Sequence, residues 1–194
     1  MRTVFVDVDT QLDFLFPAGA LYVPGAERII PALGQLNRYA EAHRIPLLST
    51  ADAHAENDPE FAAWPPHCVS GTLGQRKPAA TLLQSRVVIP NRDISAVFDR
   101  ANQYILEKQT IDVFETKTVR RVLDWLQADR FVVYGVATEI CVISAVRGLL
   151  GPGKQVVVVA DAIQALSREK ADQAFEEIRN LGGSIATMGE ILAA

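Results

Sequence analysis

The feature that most constrains the fold is the alternation of short, continuous apolar runs with amphipathic segments. The apolar runs at residues 3–8, 131–136 and 155–160 are rich in β-branched side chains, as expected of strands buried on both faces. Between them, residues 26–42 and 116–127 place apolar side chains at helical spacing. This order predicts a three-layer α/β/α architecture with a mostly parallel six-stranded sheet.

The remaining elements are shorter. We predict strands over residues 45–49, 85–90 and 104–107, a short edge strand over 185–187, and helices over 138–150 and 167–180. Residues 51–75 show no periodicity and contain three prolines and two glycines. A loop of that length within a compact domain is usually functional or disordered.

The length and net charge of the chain argue against some classes of function. With 194 residues, the chain suits a single domain over residues 1–194. The net charge of −4 argues against a nucleic-acid partner, because no basic excess is present to neutralise phosphates. No apolar run is long enough to span a membrane, and Asp7 and Asp9 interrupt the first apolar stretch, which a secretory signal would not tolerate. We therefore expect a cytoplasmic protein with no membrane partner.

Several polar residues follow predicted strands. Asp9 ends the first strand, Asp52 and His54 follow the second, Lys108 follows the 104–107 strand, and Cys141 follows the 131–136 strand. In open parallel sheets, ligands bind beyond the carboxyl ends of the strands. The sequence therefore predicts that these residues share one edge of the sheet.

Cys141 lies within the first turn of the predicted 138–150 helix. The positive end of the helix dipole and free backbone N–H groups there favour a thiolate, and the same N–H groups are suited to hold an oxyanion. The alternative is a small buried hydrophobe, which is the usual role of a free cysteine. Asp9 and Lys108 favour the nucleophile, because a reactive thiol needs a base and a charge partner. Cys68, the other cysteine, is interpreted as a packing thiol.

A second group of polar residues suggests a metal site. Asp52 and His54 are two residues apart, so both side chains point the same way in an extended segment, and His67 follows on the same long loop. Two imidazoles and a carboxylate suit zinc, manganese or iron, with positions left open for water or substrate. The alternative is a polar loop with hydrogen-bonded histidines. Asp58 and Glu60 are candidates for a further oxygen ligand or for solvated side chains.

In their order along the chain, these segments resemble the isochorismatase-like cysteine hydrolases, and most closely the nicotinamidases. Residues 9–14 read Asp-Thr-Gln-Leu-Asp-Phe, residues 52–54 read Asp-Ala-His, and residues 64–72 read Trp-Pro-Pro-His-Cys-Val-Ser-Gly-Thr. Residues 135–142 read Gly-Val-Ala-Thr-Glu-Ile-Cys-Val, and Lys108 takes the place of the family's lysine. The resemblance covers nearly the whole chain and implies the isochorismatase-like, Rossmann-like fold.

The resemblance also implies a mechanism. Asp9 would take the proton of Cys141, whose sulfur would attack an amide carbon and form a thioester, while Lys108 would position the pair. Backbone amides at a cis peptide between Val136 and Ala137 would receive the oxyanion.

The resemblance further implies a substrate site. A divalent metal ion, with zinc expected first and manganese or iron as alternatives, would be held by Asp52, His54 and His67 and would orient the ring of the substrate. Phe14 and Trp64 would sandwich that ring. The fourth metal position, often His in nicotinamidases, is interpreted as Asp58.

Three hypotheses follow for the function. The first is a nicotinamidase that releases ammonia from nicotinamide. The second keeps the mechanism but changes the substrate to another small amide, ureide or carbamoyl compound, because this chain has Ile111 and Asp112 where many relatives have Tyr and Ser. The third is a non-catalytic binding protein on the same fold. By analogy with the family, a homo-oligomer is expected.

Overall fold

The fold is a single seven-stranded sheet in which every strand pair is parallel. The computed structural model describes residues 1–92 and 101–193. From one edge to the other, the strand order is β3-β4-β2-β1-β5-β6-β7. The strands are β1 (Thr3–Val8), β2 (Leu47–Asp52), β3 (Arg86–Ile89), β4 (Gln103–Lys108), β5 (Arg130–Val136), β6 (Gln155–Gln164) and β7 (Ser184–Ala186).

The strand predictions are confirmed, with one correction to the size of the sheet. All seven predicted segments are strands of one sheet, which was expected to have six, and the short edge strand predicted over 185–187 is β7, which pairs with β6 through the register Val157 to Ser184. Some strands also differ in length: β6 runs four residues beyond its predicted end at residue 160. β2 runs three residues beyond the predicted end at Ser49 and stops at Asp52, since its partner β4 extends to Lys108 opposite Asp52.

The chain reverses its direction across the sheet at β1. After β1 it builds β2, β3 and β4 on one side, and then it crosses to β5 on the other side. In folds of this kind, ligands bind at the crevice where the strand order reverses. That crevice lies between the carboxyl ends of β1 and β5, next to Asp9 and the segment leading to Cys141.

Six α-helices lie within residues 1–92 and 101–193, five of them between strands and the sixth after β7. α2 and α6 contact one another, and α4 contacts α5. The helices are α1 (Leu12–Leu15), α2 (Ile30–Ala42), α3 (Val119–Leu126), α4 (Ile143–Leu149), α5 (Arg168–Asn180) and α6 (Met188–Leu192).

The predicted 138–150 helix is in two parts. Its first five residues, Thr138–Val142, form a π-helical turn, and α4 follows from Ile143. Such π turns occur frequently at functional sites. Cys141 is the fourth residue of this turn and therefore lies outside the regular α-helix that follows.

The long loop after β2 is shaped by contacts along its length. Residues 59–62 form a 3₁₀ turn that begins after Asp58, and His54 forms an isolated parallel bridge with Val69. The bridge folds the second half of the loop back beside its first half. Among residues 1–92 and 101–193, no helix has both the length and the hydropathy required to cross a bilayer.

Candidate active site

Lys108 lies at the centre of the residues that the strand ends bring together. Its side chain is 1% exposed, and its Nζ lies 3.0 Å from Asp9 Oδ2 and in direct contact with Asp52 Oδ1. The same Nζ donates to the carbonyl of Thr110 at 3.0 Å and lies 3.9 Å from Cys141 Sγ. Burial acts to lower the pKa of Lys108, but the two carboxylates hold that pKa well above its usual value. Lys108 is therefore a fixed ammonium ion.

Asp9 is held in a single orientation beside Lys108. It follows β1 with a φ of 48°, and its Oδ1 accepts a hydrogen bond of 2.6 Å from the hydroxyl of Thr50. The same hydroxyl accepts the backbone N–H of Asp9 at 3.1 Å. This exchange directs Oδ2 towards Lys108 and away from the strand.

The pKa values of Asp9 and Cys141 bear on a single proton transfer between the two groups. Burial raises the pKa of Asp9, and Lys108 only partly offsets that effect. Burial also raises the pKa of the Cys141 thiol well above its usual value; the charge of Lys108 lowers that pKa and the charge of Asp9 raises it. This is opposite to the direction expected from the helix start alone, because burial disfavours the charged thiolate. A thiol in this environment needs a base before it can act as a nucleophile, and Asp9 is the candidate.

The peptide bond between Val136 and Ala137 is cis. Both residues line the cavity next to Cys141. The carbonyl of Ala137 accepts the backbone N–H groups of Ile140 and Val142, each at 3.1 Å, which fixes the turn that carries Cys141.

The predicted metal residues meet on the other side of Lys108. Asp52 Oδ2 lies 3.8 Å from His54 Nε2 and 3.6 Å from His67 Nε2. One candidate ligand atom from each of the three residues lies within 4.8 Å of the others, and all three residues are buried. Burial alone would raise the pKa of Asp52, but Lys108 and the two imidazoles hold it far below its usual value. Asp52 is therefore an ionised oxygen donor.

The two imidazoles present the nitrogens that a metal ion requires. His67 Nδ1 lies 2.8 Å from the carbonyl of Pro65, and His54 Nδ1 lies 3.2 Å from Asp58 Oδ2. The contact with Pro65 assigns the ring proton of His67 to Nδ1 and leaves its Nε2 lone pair on the side of Asp52. Within the described residues, neither buried ring nitrogen of His54 has a hydrogen-bond partner. The donor set therefore fits a divalent ion such as zinc.

The structure separates the two acidic candidates for a fourth ligand. Asp58 lies behind His54, where its carboxylate meets Nδ1, and it is not part of the three-residue cluster. Glu60, which sequence reasoning mentioned only as an alternative, lines the cavity together with Asp52 and His67. The reason is the 3₁₀ turn, in which Asp58 caps the N–H of Glu60 and so turns towards the loop backbone.

An apolar cavity connects the two groups of residues. Phe14 and Trp64, which were expected to sandwich the substrate ring, line it, and the ring of Phe14 lies 5.4 Å from that of His67. Further walls come from Leu21, Val23 and Leu166, which the sequence did not indicate, and from Ile111 and Ile140.

Thr50 is a further contact that sequence reasoning missed, since an interior strand hydroxyl shows no periodic signal. Phe61 was missed as well. Its ring lies 5.2 Å from His54 and 5.7 Å from His67, so it covers both imidazoles. An aromatic residue close to a candidate metal motif was the only available signal.

The chain belongs to the isochorismatase family, since residues 3–190 match the Isochorismatase domain. It is 30% identical to the nicotinamidase/pyrazinamidase of Mycobacterium tuberculosis over 190 residues, which cover 92% of this chain and 95% of that protein. It is 24% identical to the nicotinamidase of Escherichia coli over 208 residues, 94% and 93% of the two chains.

A solved structure gives the same result. The crystal structure of a pyrazinamidase of Pyrococcus horikoshii in complex with zinc superposes with a TM-score of 0.79 at 26% identity. The superposition covers 96% of this chain and 99% of the other. The comparisons therefore support an amidohydrolase of this family with an α/β fold.

We expect His67→Ala to weaken divalent-metal binding, because it removes one of the three converging donors. The loss of zinc affinity should exceed the roughly 10–100-fold that is typical of losing an outer partner of a ligand. Competition with a chromogenic chelator measures this affinity directly. His43→Ala is the matched control, since His43 stacks on Tyr39 at 3.9 Å on α2, away from the site. Equal zinc affinity in the two variants would contradict the assignment.

Proposed function

We propose that the chain is a metal-containing cysteine amidohydrolase that converts nicotinamide to nicotinate and ammonia. The observation that supports this best is the position of Cys141 on the wall of an apolar cavity that Asp52 and His67 also line, with Lys108 close to both Cys141 and Asp9. We expect a flat ring with an amide on one side and a ring nitrogen on the other to bind between the two groups. The nicotinamidase relatives support the same reading.

The first half of the reaction uses Asp9 as a base and then as an acid. Asp9 takes the proton of the Cys141 thiol as the sulfur bonds to the amide carbon. Backbone N–H groups of Ala137 and Cys141 would donate to the oxygen that gains negative charge. As the C–N bond breaks, Asp9 returns the proton to the leaving nitrogen, and ammonia departs from a thioester on Cys141.

The second half restores the thiol. Asp9 takes a proton from a water molecule that attacks the thioester carbon, the C–S bond breaks, and the carboxylic acid product is released as Cys141 recovers its proton. Throughout, Lys108 stays charged and limits the cost of placing negative charge on Asp9 and the sulfur.

The metal site has an orienting role in this proposal. A divalent ion, zinc by preference, held by Asp52, His54 and His67 would supply a Lewis-acid contact for the ring nitrogen of the substrate. The rings of Phe14 and Trp64 would bind the two faces of the substrate ring. The location of the protein in the cytoplasm and its assembly into homo-oligomers stay predictions.

The charged side chains in the cavity argue against those compounds of the second hypothesis that carry a carboxylate of their own. Asp112, one basis of that hypothesis, directs its carboxylate at the N–H of Phe114 at 2.9 Å and does not line the inner cavity, whereas Ile111, another basis, does line it. Among the described residues that line this cavity, the charged ones are Asp52 and Glu60, and both are acidic. A substrate carboxylate placed away from the metal ion would therefore meet side chains of like charge.

Cys141→Ala should lower kcat for ammonia release from nicotinamide by a factor of at least about 10⁴, because it removes the atom that forms the thioester. A coupled ammonia assay measures this rate. Cys68→Ala is the matched control: Cys68 is the other free cysteine and is buried, so its loss should lower Tm but leave kcat in place. Ammonia release that survives in Cys141→Ala would contradict the mechanism.

A panel of amides tests the substrate class. We expect nicotinamide to be hydrolysed with a kcat/KM at least about 100-fold above that of an N-carbamoyl amino acid, because like charges in a desolvated site cost several kcal/mol. The same assay, run on one enzyme preparation, gives both values. The reverse order of kcat/KM would favour the second hypothesis, and release of ammonia from neither would favour a binding protein.

A further inference from the structure

Residues 9–13, which run from the end of β1 into α1, place three polar side chains at every second position: Asp9, Gln11 and Asp13. Asp9 faces Lys108 in the catalytic group. Neither Gln11 nor Asp13 lines the substrate cavity. Their hydrogen bonds lead instead to the two segments that bear the metal residues.

Gln11 binds the backbone of Asp52 on both sides. Its Oε1 accepts the N–H of Asp52 at 2.7 Å, and its Nε2 donates to the carbonyl of Asp52 at 2.8 Å and to the carbonyl of Gln75 at 2.7 Å. β1 pairs with β2 only as far as Asp7 with Ser49, so the end of β2 extends past its strand partner on that side. The fully buried amide of Gln11 takes the place of that missing strand.

Asp13 binds the backbone next to His67. Its Oδ2 accepts the N–H of Cys68 at 2.7 Å, and its Oδ1 accepts the N–H of Ala20 at 2.9 Å. Cys68 has a φ of 44°, a conformation that non-glycine residues rarely adopt. The hydrogen bond from Cys68 to Asp13 holds this turn, which directs the preceding His67 towards Asp52.

Gly74, in the loop after His67, packs directly against the carboxylate of Asp13. A Cβ at this position would lie 2.1 Å from Asp13 Oδ2, so only glycine permits the approach. The backbone N–H of Asp13 also donates to the carbonyl of Gly74 at 3.1 Å. Through its side chain and its backbone, Asp13 therefore binds both ends of the turn that follows His67.

We propose that Gln11 and Asp13 are positioning residues that hold Asp52 and His67, respectively, in place for the metal ion, in register with Asp9 on the same segment. The inference rests on the proposed function, because it assumes the metal site on Asp52, His54 and His67. Neither residue touches the substrate or the ion. Each acts through the backbone of a segment that bears a ligand.

Gln103 provides a matched control for Gln11. It is a fully buried glutamine on β4 whose Oε1 accepts the N–H of Leu83 at 2.8 Å, while its Nε2 donates to Ser49 Oγ at 2.9 Å and to the carbonyl of Thr81 at 3.0 Å. Gln11 and Gln103 therefore each accept one backbone N–H and donate two hydrogen bonds. Gln11 does so beyond the carboxyl end of β1, and Gln103 at the amino end of β4. Replacing either by methionine keeps the size of the side chain and removes all of these bonds.

Gln11→Met and Gln103→Met should lower Tm to a similar extent, since each leaves buried polar groups without partners. Only Gln11→Met should weaken zinc binding, by about 10–100-fold, the range for partners that orient metal ligands. Chelator competition on the folded proteins measures the zinc affinity. Equal zinc affinity in both variants, at similar Tm, would overturn the proposal. A wild-type protein that binds no zinc would instead overturn the metal site of the proposed function, and the inference with it.

If Gln11→Met does not fold, the variant Asp13→Asn provides a second test of the proposal. The amide retains one acceptor oxygen and turns an NH₂ group towards the other N–H donor, so the turn at Cys68 loses its fixed geometry. We expect zinc affinity to fall about tenfold or more. Asp161→Asn is the control, because Asp161 is exposed and accepts the N–H of Met188 at 2.7 Å, away from the site. Equal zinc affinity in these two variants would also overturn the proposal.

Discussion

The buried ammonium ion of Lys108, placed between the carboxylates of Asp9 and Asp52, is the interaction on which the rest of the site depends. Moving any one of these charges out of water costs several kcal/mol, and removing one partner would leave the others uncompensated. Asp52 faces the imidazoles, whereas Asp9 faces Cys141. A single cation therefore permits an ionised candidate metal ligand, Asp52, and the proposed acid/base, Asp9, to lie side by side in an apolar interior.

The sheet makes this arrangement possible through its strand order. β4, β2, β1 and β5 are adjacent, and they bring Lys108, Asp52, Asp9 and the turn containing Cys141 to one edge in that sequence. The raised pKa values of Asp9 and Cys141 follow from burial at this edge. A thiol that is protonated at rest, next to a base of its own, is suited to a reaction in which the proton moves to the base and then to the leaving nitrogen.

Much of this edge could be predicted from the sequence, because strand ends in a parallel sheet converge whatever the details of packing. The rest depends on loop geometry that has no periodic signal. Asp58 and Glu60 are equally plausible ligands on paper, and only the 3₁₀ turn directs one to His54 and the other to the cavity. Likewise, the expectation of a thiolate at Cys141, based on its position at a helix start, did not include the effect of desolvation on the pKa. No sequence pattern links Thr50 to Asp9.

The central claim is that Cys141 forms a covalent acyl intermediate with a neutral aromatic amide. Rapid chemical quenching during turnover of nicotinamide, followed by mass spectrometry of the digested protein, tests it most directly. We expect the added mass of one nicotinoyl group on the peptide that contains Cys141, and no such adduct on the peptide that contains Cys68. Turnover without an adduct on Cys141 at any quench time, or an adduct on a different side chain, would contradict it.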